Sequence, residues 1–402
     1  MKTTFSTAAL LGFVAAGPLG TRPKHGNGVG SNGATARFGN FGSQFNKQYV
    51  DAADYQNRLD IYNKNIAEID SVNAKARGPD DLRLGQNMFT DMTSDEFSKW
   101  TGLRIDAQAD TNGFGKRKHG LGGGRMLGHS ATAVDHVKDG FMHPVKNQGG
   151  CGSCWAFGAN TVLEGTIAKK TNSAPVRISE QQLVDCSLRD NAKNQELFGK
   201  TYSNYGCGGG WMSTAWRFQE EQGYMLDSDY PYVSGTTREE TECAHDTTKV
   251  VGKATGYNRI RDVATMKSTL VNQPLSIAID AGQAAFQSYK SGVVKMSDNC
   301  GNSLNHAVVV VGFSEKDDVT PPEPPVEVEC DVTKWWHTCE EVGRRMQADE
   351  EGLSNYWKIQ NSWGSWWGDE GFIRIDIEED GDGVCGMYRY VETIERLGGY
   401  DD

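Results

Sequence analysis

Apolar residues are distributed along this chain in three ways, and each predicts a different kind of structure. At the start they run together: Lys2 precedes an apolar stretch at 8–16, and small residues follow. That is the pattern of a secretory signal peptide covering 1–20, cut between Ala16 and Gly20. A membrane anchor, the alternative, needs roughly twenty apolar residues. Next comes a stretch without period, 24–44, rich in Gly, Asn and Ser, which predicts a flexible leader with order beginning near Phe45. From Asp51 to Asn73 the period becomes helical: Tyr55, Leu59, Tyr62, Ile66 and Ile69 recur at steps of four and three, predicting an amphipathic helix that ends before Gly78-Pro79. A second glycine-rich stretch, 107–128, carries a basic cluster at 116–118. Flexible, exposed basic linkers are where proteases cut, so 21–129 reads as a removable region and 130–402 as a separate domain. In that domain the apolar residues after Cys154 (155–157, then Val162, Leu163 and Ile167) predict a buried helix, and 307–313 predicts a buried strand. The proline-rich, acidic run 321–329 predicts an extended spacer inside an insertion at about 315–352.

Composition narrows the function classes. With 37% hydrophobic and 10% aromatic residues, the 402-residue chain can build ordinary cores. Its net charge of -12, without a long Lys/Arg cluster, argues against nucleic acid as a partner, and no later segment is long and apolar enough to span a bilayer. Nine cysteines in a chain entering the secretory route predict disulfides and one leftover thiol. There is no Asn-x-Ser/Thr sequon. The destination, lysosome or vacuole or the outside of the cell, is therefore not legible from glycosylation.

The leftover thiol has a chemical setting. In PVKNQGGCGSCWAF (144–157), glycines allow a tight backbone path, and Cys154 opens the predicted buried helix. A helix N-terminus favours an anion, so the thiol pKa is expected to fall and the nucleophilic thiolate to form. Such a thiolate needs a partner that holds it as an ion pair and then protonates the leaving amine. His306 stands at the start of the strand-like run AVVVVGF, where a rigid element would fix its ring. Asn361, in IQNSWGSWWG, offers an amide to hold the imidazole tautomer, with Trp363 and Trp367 to keep water from that bond. Gln148 lies six residues before the thiol, where its amide can donate to a developing oxyanion together with the Cys154 N–H.

These four motifs, in this order, resemble the papain-like cysteine proteases, most closely their cathepsin L-like branch. The resemblance covers Phe45 to about Tyr390. It implies an α+β fold with a helical domain on the Cys154 side and a β-barrel domain on the His306 side, preceded by a helical inhibitory pro-domain at about 45–105. It implies a cysteine endopeptidase made as an inactive zymogen, with protein and peptide substrates, its own pro-region as intramolecular inhibitor, and no cofactor or metal. Gln148 becomes the oxyanion-hole side chain, Cys154 the nucleophile, His306 the base and Asn361 its orienter. Asp54, Arg58, Tyr62, Asn65, Ile69 and Asn73 form one stripe of the first helix and resemble the family's ERFNIN motif, with Asp54 and Arg58 spaced to pair. Gly85, Asn87, Phe89 and Asp91 match its GNFD motif. The same resemblance implies the disulfides Cys151–Cys207, Cys186–Cys243 and Cys300–Cys385. Cys330 and Cys339 have no counterpart and are expected to pair with each other, a zinc site with His337 being the alternative.

By the same resemblance Gly209 and Gly210 pair with extended peptide, and Trp211, Met212, Ala278, Leu304, Ala307 and Tyr390 line the pocket for the residue two before the scissile bond. Trp363 is expected beside the catalytic pair. Tyr390 is large and implies a short pocket. His136 stands where relatives have Trp, and 187–206 is longer than in close relatives, either bordering the cleft or forming a solvated loop. The run 376–383 (DIEEDGDG) resembles a calcium loop but lacks Glu at the twelfth position, which favours a turn. Two rival functions are an exopeptidase, whose cleft-blocking paired histidines are not found, and a catalytically dead binding protein, against which the complete Gln-Cys-His-Asn set argues. The insertion is expected at the turn of an antiparallel pair, roughly 20 Å from the catalytic residues, either as a knob for docking to a partner or as a surface elaboration without a role.

Overall fold

The computed structural model describes residues 31–107, 131–315 and 355–398. The expected signal peptide, basic linker and boundary at 130, the body of the expected insertion and the Cys330, His337 and Cys339 group lie outside the described residues. Two compact units are present, 1–47 and 48–402.

The first unit departs from the expected flexible leader. Ser31–Gln44 is a helix, α1. Phe38 and Phe41 stack at 5.9 Å and Phe41 meets Phe45 at 5.1 Å. Ala34, Phe38, Phe41 and Phe45 are spaced 4, 3 and 4, a helical period hidden by the glycines between them, each of which costs about 1 kcal/mol of helix propensity without cancelling the pattern.

In the second unit, Ala52–Asn73 forms α2, as its periodicity predicts. Asp51 caps it by accepting from the N–H groups of Ala53 and Asp54, both at 2.9 Å. Leu59, Tyr62, Ile66 and Ile69 make its buried stripe, and the polar members of that motif hold the chain that follows. Asn65 donates to the carbonyls of Thr90 and Met92, while Asn73 exchanges two bonds with the Leu84 backbone. Arg58 pairs with Asp54 at 3.6 Å, as expected, but its main partner is Glu96, two parallel bonds of 2.7 Å. Glu96 reaches back through a capping box with Thr93, which the sequence reading did not weigh.

The region from 131 onward is built on a helix and a sheet. Cys154–Thr171 forms α3, buried from Cys154 to Ala168. Glu180–Cys186 (α4), Ala192–Phe198 (α5) and Met212–Gln222 (α6) accompany it. The sheet's principal strands are Ala133–Asp135 (β1), Val250–Ile260 (β2), Leu275–Ile279 (β3), His306–Ser314 (β4), Tyr356–Gln360 (β5), Phe372–Asp376 (β6) and Val391–Gly398 (β7). Hydrogen-bonded order runs β2-β7-β3-β4-β5-β6, with β1 also on β4. Among the described residues this ladder is an open path with short end strands at Tyr224–Met225 and Val293–Val294, so the expected barrel is a sheet whose hydrogen bonds do not close on themselves. β4 packs on α3, which brings the Cys154 element against the His306 element.

Two departures from the family pattern resolve. His136 is buried, donates from Nε2 to the Leu270 carbonyl at 2.6 Å and lies edge-on to Phe141, so a polar contact replaces the packing of a tryptophan. The 187–206 stretch is not a plain solvated loop: it contains α5, capped by Asn191, and Phe198 packs on Phe218 and Tyr202. Its end, Tyr205, borders the cleft and takes the Arg104 guanidinium over its ring at 4.2 Å. The 376–383 run closes β6 and turns toward Cys385 with Gly381 and Gly383 at positive φ. Cys151–Cys207, Cys186–Cys243 and Cys300–Cys385 are disulfides, and Cys154 is free.

Candidate active site

β4 and β5 run antiparallel with Val309 opposite Gln360, so His306, which opens β4, and Asn361, which follows β5, come together at one end of the ladder. His306 Nε2 donates to Asn361 Oδ1 at 2.8 Å. The same oxygen accepts from the Ser362 N–H at 2.8 Å, which fixes the amide and so the tautomer. Trp363 stacks on the imidazole at 4.7 Å, with Trp367 edge-on to Trp363 and Phe286 edge-on to both the imidazole and Trp363. The shield is thus as expected, with Phe286 added. The second ring nitrogen, Nδ1, is buried and has no hydrogen-bond partner among the described residues.

Cys154 begins α3, where backbone N–H groups are free. The loop before it is tight: Gly149 has φ +61°, and a Cβ there would meet the Gly235 carbonyl at 2.4 Å. Gln148 is fully buried and fixed from both ends of its amide. Oε1 accepts from the Ser362 hydroxyl at 2.6 Å, and Nε2 donates to the carbonyls of Cys151 (2.9 Å) and Trp100 (3.0 Å). Ser362 therefore ties Gln148 to Asn361, a link the sequence reading missed although SerTrp directly follows the asparagine.

Residues 130–394 match the family model described as papain family cysteine protease. The chain belongs to the papain family of cysteine proteases. A second model, described as the cathepsin propeptide inhibitor domain, matches 38–97. Cathepsin K of Mus musculus is 32% identical over 85% of this chain and 87% of its own length, and cathepsin L2 of Homo sapiens is 31% identical over 82% and 83%. Among solved structures, a digestive procathepsin L2 proteinase from Tenebrio molitor larval midgut aligns with TM-score 0.68 at 26% identity, covering 90% of this chain and 99% of that one. The proform of the ragweed pollen cysteine protease Amb a 11 aligns with TM-score 0.66 at 25% identity, covering 91% and 95%. This papain-family chain is accordingly a cysteine endopeptidase with an inhibitory propeptide, and its structure is that of a precursor.

How the propeptide blocks the cleft is visible residue by residue. Leu84 and Arg83 pair with Tyr289–Ser291, Gly85 donates to the Ser288 carbonyl, Asn87 Nδ2 donates to the Gln287 carbonyl, and Gln287 Nε2 donates back to the Phe89 carbonyl. Phe89 is fully buried among Phe97, Trp100, Trp363 and Trp366. Asp91 accepts from the Tyr49 hydroxyl at 3.1 Å. Past Trp100 the chain crosses the thiol at Gly102, where a Cβ would meet the Gly152 carbonyl at 1.8 Å. Gly102 and Arg104 bond both backbone groups of Gly210, and Leu103 donates to the Asn305 carbonyl. The Leu103–Gly210 bridge is parallel. Leu103 enters the buried cluster containing Trp211, Met212, Ala278 and Ala307, with Leu304 and Tyr390 packed against it.

Covering the thiol reverses the expected shift in its pKa. Burial pushes Cys154 up to about 11, against the backbone N–H groups of Ala307, Gly102, Trp155 and Cys154 itself, which pull the other way. Burial likewise pushes His306 down to about 4, opposed by its bond to Asn361. The helix N-terminus is present as predicted, but under the propeptide desolvation outweighs it, and both groups stay neutral. Trp100, Gly102, Leu103 and Asn305 were not foreseen as site residues; the sequence signal was a lone glycine between bulky residues in KWTGLR.

Proposed function

We propose that Cys154, His306, Asn361 and Gln148 are the catalytic residues. The thiolate attacks the scissile carbonyl carbon, and the oxyanion accepts from Gln148 Nε2 and the Cys154 N–H. His306 Nδ1 gives its proton to the leaving amine, the C–N bond breaks and a thioester remains. Water, giving a proton back to His306, then attacks the thioester, and the acid leaves as the thiolate and imidazolium are restored. The observation carrying this reading is the Trp100 carbonyl held by Gln148 Nε2 at 3.0 Å, with Gly102 over the thiol: an inhibitor carbonyl occupies the place of a substrate carbonyl. A substrate would run the other way, its backbone on Gly209 and Gly210, the side chain two residues before the scissile bond in the Leu103 pocket, and its leaving half toward Trp363.

We assign 1–20 to a signal peptide, 21–129 to the pro-region and 130–402 to the mature enzyme, which places it in the secretory route toward a lysosome, a vacuole or the outside of the cell. The decisive experiment is peptide hydrolysis by purified variants. Cys154→Ala is expected to lose it while folding normally, and Gln148→Ala to lose roughly 10² to 10³ in kcat. Retained hydrolysis in Cys154→Ala overturns the assignment.

A further inference from the structure

Glu392 is a fully buried carboxylate that the reaction does not use. It lies on β7, with Arg259 of β2 and Ser276 of β3 as its cross-strand neighbours. Its Oε2 accepts from the Trp211 indole N–H at 3.1 Å, while Oε1 has no well-formed hydrogen bond among the described residues, its nearest polar help being the hydroxyl and N–H of Ser213 on α6. Trp211 meets Tyr390 edge to face at 5.0 Å, and the Arg259 guanidinium lies over the Tyr390 ring at 4.1 Å, itself donating to the Arg389 carbonyl at 2.7 Å. A buried carboxylate with one oxygen poorly paired is costly, and an apolar side chain there would be easier to bury. Its contribution must therefore be sought in what it holds. An indole has one donor, and that bond fixes how the ring sits in a wall otherwise made of slippery apolar contacts.

We infer that Glu392 is a positioning residue for substrate selection: through the indole N–H it fixes Trp211, and with it the depth of the pocket occupied by Leu103. The inference rests on the pocket assignment proposed above and concerns peptides with a leucine-sized side chain two residues before the cleaved bond. Burial raises the Glu392 pKa to about 7, opposed by Arg259, then by the Trp211 bond, then by the Ser213 hydroxyl and N–H. Below that value it is a neutral acid whose carbonyl oxygen still accepts, so glutamine is a close mimic.

The test uses enzyme matured from the full-length precursor, with active sites counted by a thiol-directed epoxide. The readout is the ratio of kcat/KM for two peptides that differ only in Leu against Phe at that position. Glu392→Gln is expected to keep the ratio within twofold. Glu392→Leu is expected to lower it at least fivefold, through KM and not kcat, and Trp211→Phe, which keeps a ring but removes the N–H, to do the same. If Trp211→Ala leaves the ratio unchanged, the pocket assignment fails. If Trp211→Ala shifts it but Glu392→Leu does not, or if the Gln and Leu variants behave alike, the pocket stands and the positioning role of Glu392 is overturned.

Discussion

Carboxylates in the pro-domain and in the protease respond to acid in opposite senses. In the pro-domain, the Arg58 hydrogen bonds hold Glu96 down to about 2, against burial and with help from Thr93. An unfolded glutamate titrates near 4.3, so this group stabilises fully above that value and the contribution is lost as pH falls toward 2. In the protease, Lys146 is buried between Glu164 (2.6 Å) and Glu180 (2.7 Å), one cation against two carboxylates. Burial raises Glu180 to about 7, Lys146 opposing and Glu164 adding to it. The folded state there binds a proton more tightly than the unfolded chain, so its penalty is full above about 7 and is relieved as pH falls toward 4.3. Acid therefore loosens the inhibitor and relaxes a strained charge inside the enzyme. A common solvent change acts selectively because the pro-domain pair is two-thirds buried at its boundary and the protease triad is entirely enclosed.

The strongest way to break this contrast is Lys146→Met, which leaves two enclosed carboxylates with no cation. The loss of stability is expected to be about 3 to 5 kcal/mol at neutral pH and smaller near pH 4.5, measured by denaturant unfolding at both values. An equal loss at both would mean that the triad does not titrate. Comparable in size but indifferent to pH, Phe89→Ala removes the aromatic plug against Trp363 and Trp366, at about 3 to 5 kcal/mol of docking. Precursor carrying it should label with a thiol-directed epoxide at pH 7, where the unchanged precursor, with Cys154 covered, is expected not to. Glu96→Gln sharpens the pro-domain half. It should weaken docking by about 1 kcal/mol, the pair being partly exposed, and flatten the rise in self-processing rate expected of the unchanged precursor as pH falls below about 4.3. Asp54→Ala tests the pair expected from sequence alone: at 3.6 Å and partly exposed, its removal should cost under about 0.5 kcal/mol, with no visible change in that pH profile.

That last pair marks the line between what sequence made legible and what it did not. The i, i+4 spacing of Asp54 and Arg58 is local and readable, whereas Glu96 lies 38 residues from Arg58 and meets it only after the chain folds back. Gln148, Cys154, His306 and Asn361 could be proposed as the catalytic set because each sits in a short, dense motif; Ser362 shares the Asn361 motif, but its hydroxyl meets Gln148 only through folding, and Phe286, which adds to the shield, sits in sequence that looks ordinary. The disulfides came from resemblance and are formed as expected. Thiol acidity was misjudged for the precursor because a helix terminus is visible in sequence while the segment lying on it is not. In and just after α1 the glycines hide the helical spacing of Phe38, Phe41 and Phe45, whose rings meet.

The β4–β5 ladder separates two demands on one chain. Its catalytic end must hold atoms to fractions of an ångström, whereas at its far end Ser314 and Tyr356 face each other as Cα partners. Paired ends of this kind are a socket: any sequence whose termini return to adjacent positions can be seated there, and the ladder hands the same geometry to His306 and Asn361 regardless of what it carries. For a protein engineer this is the place to add a reporter, an affinity handle or new chain ends by circular permutation, and for a lineage it is a place where length can drift while the chemistry stays put.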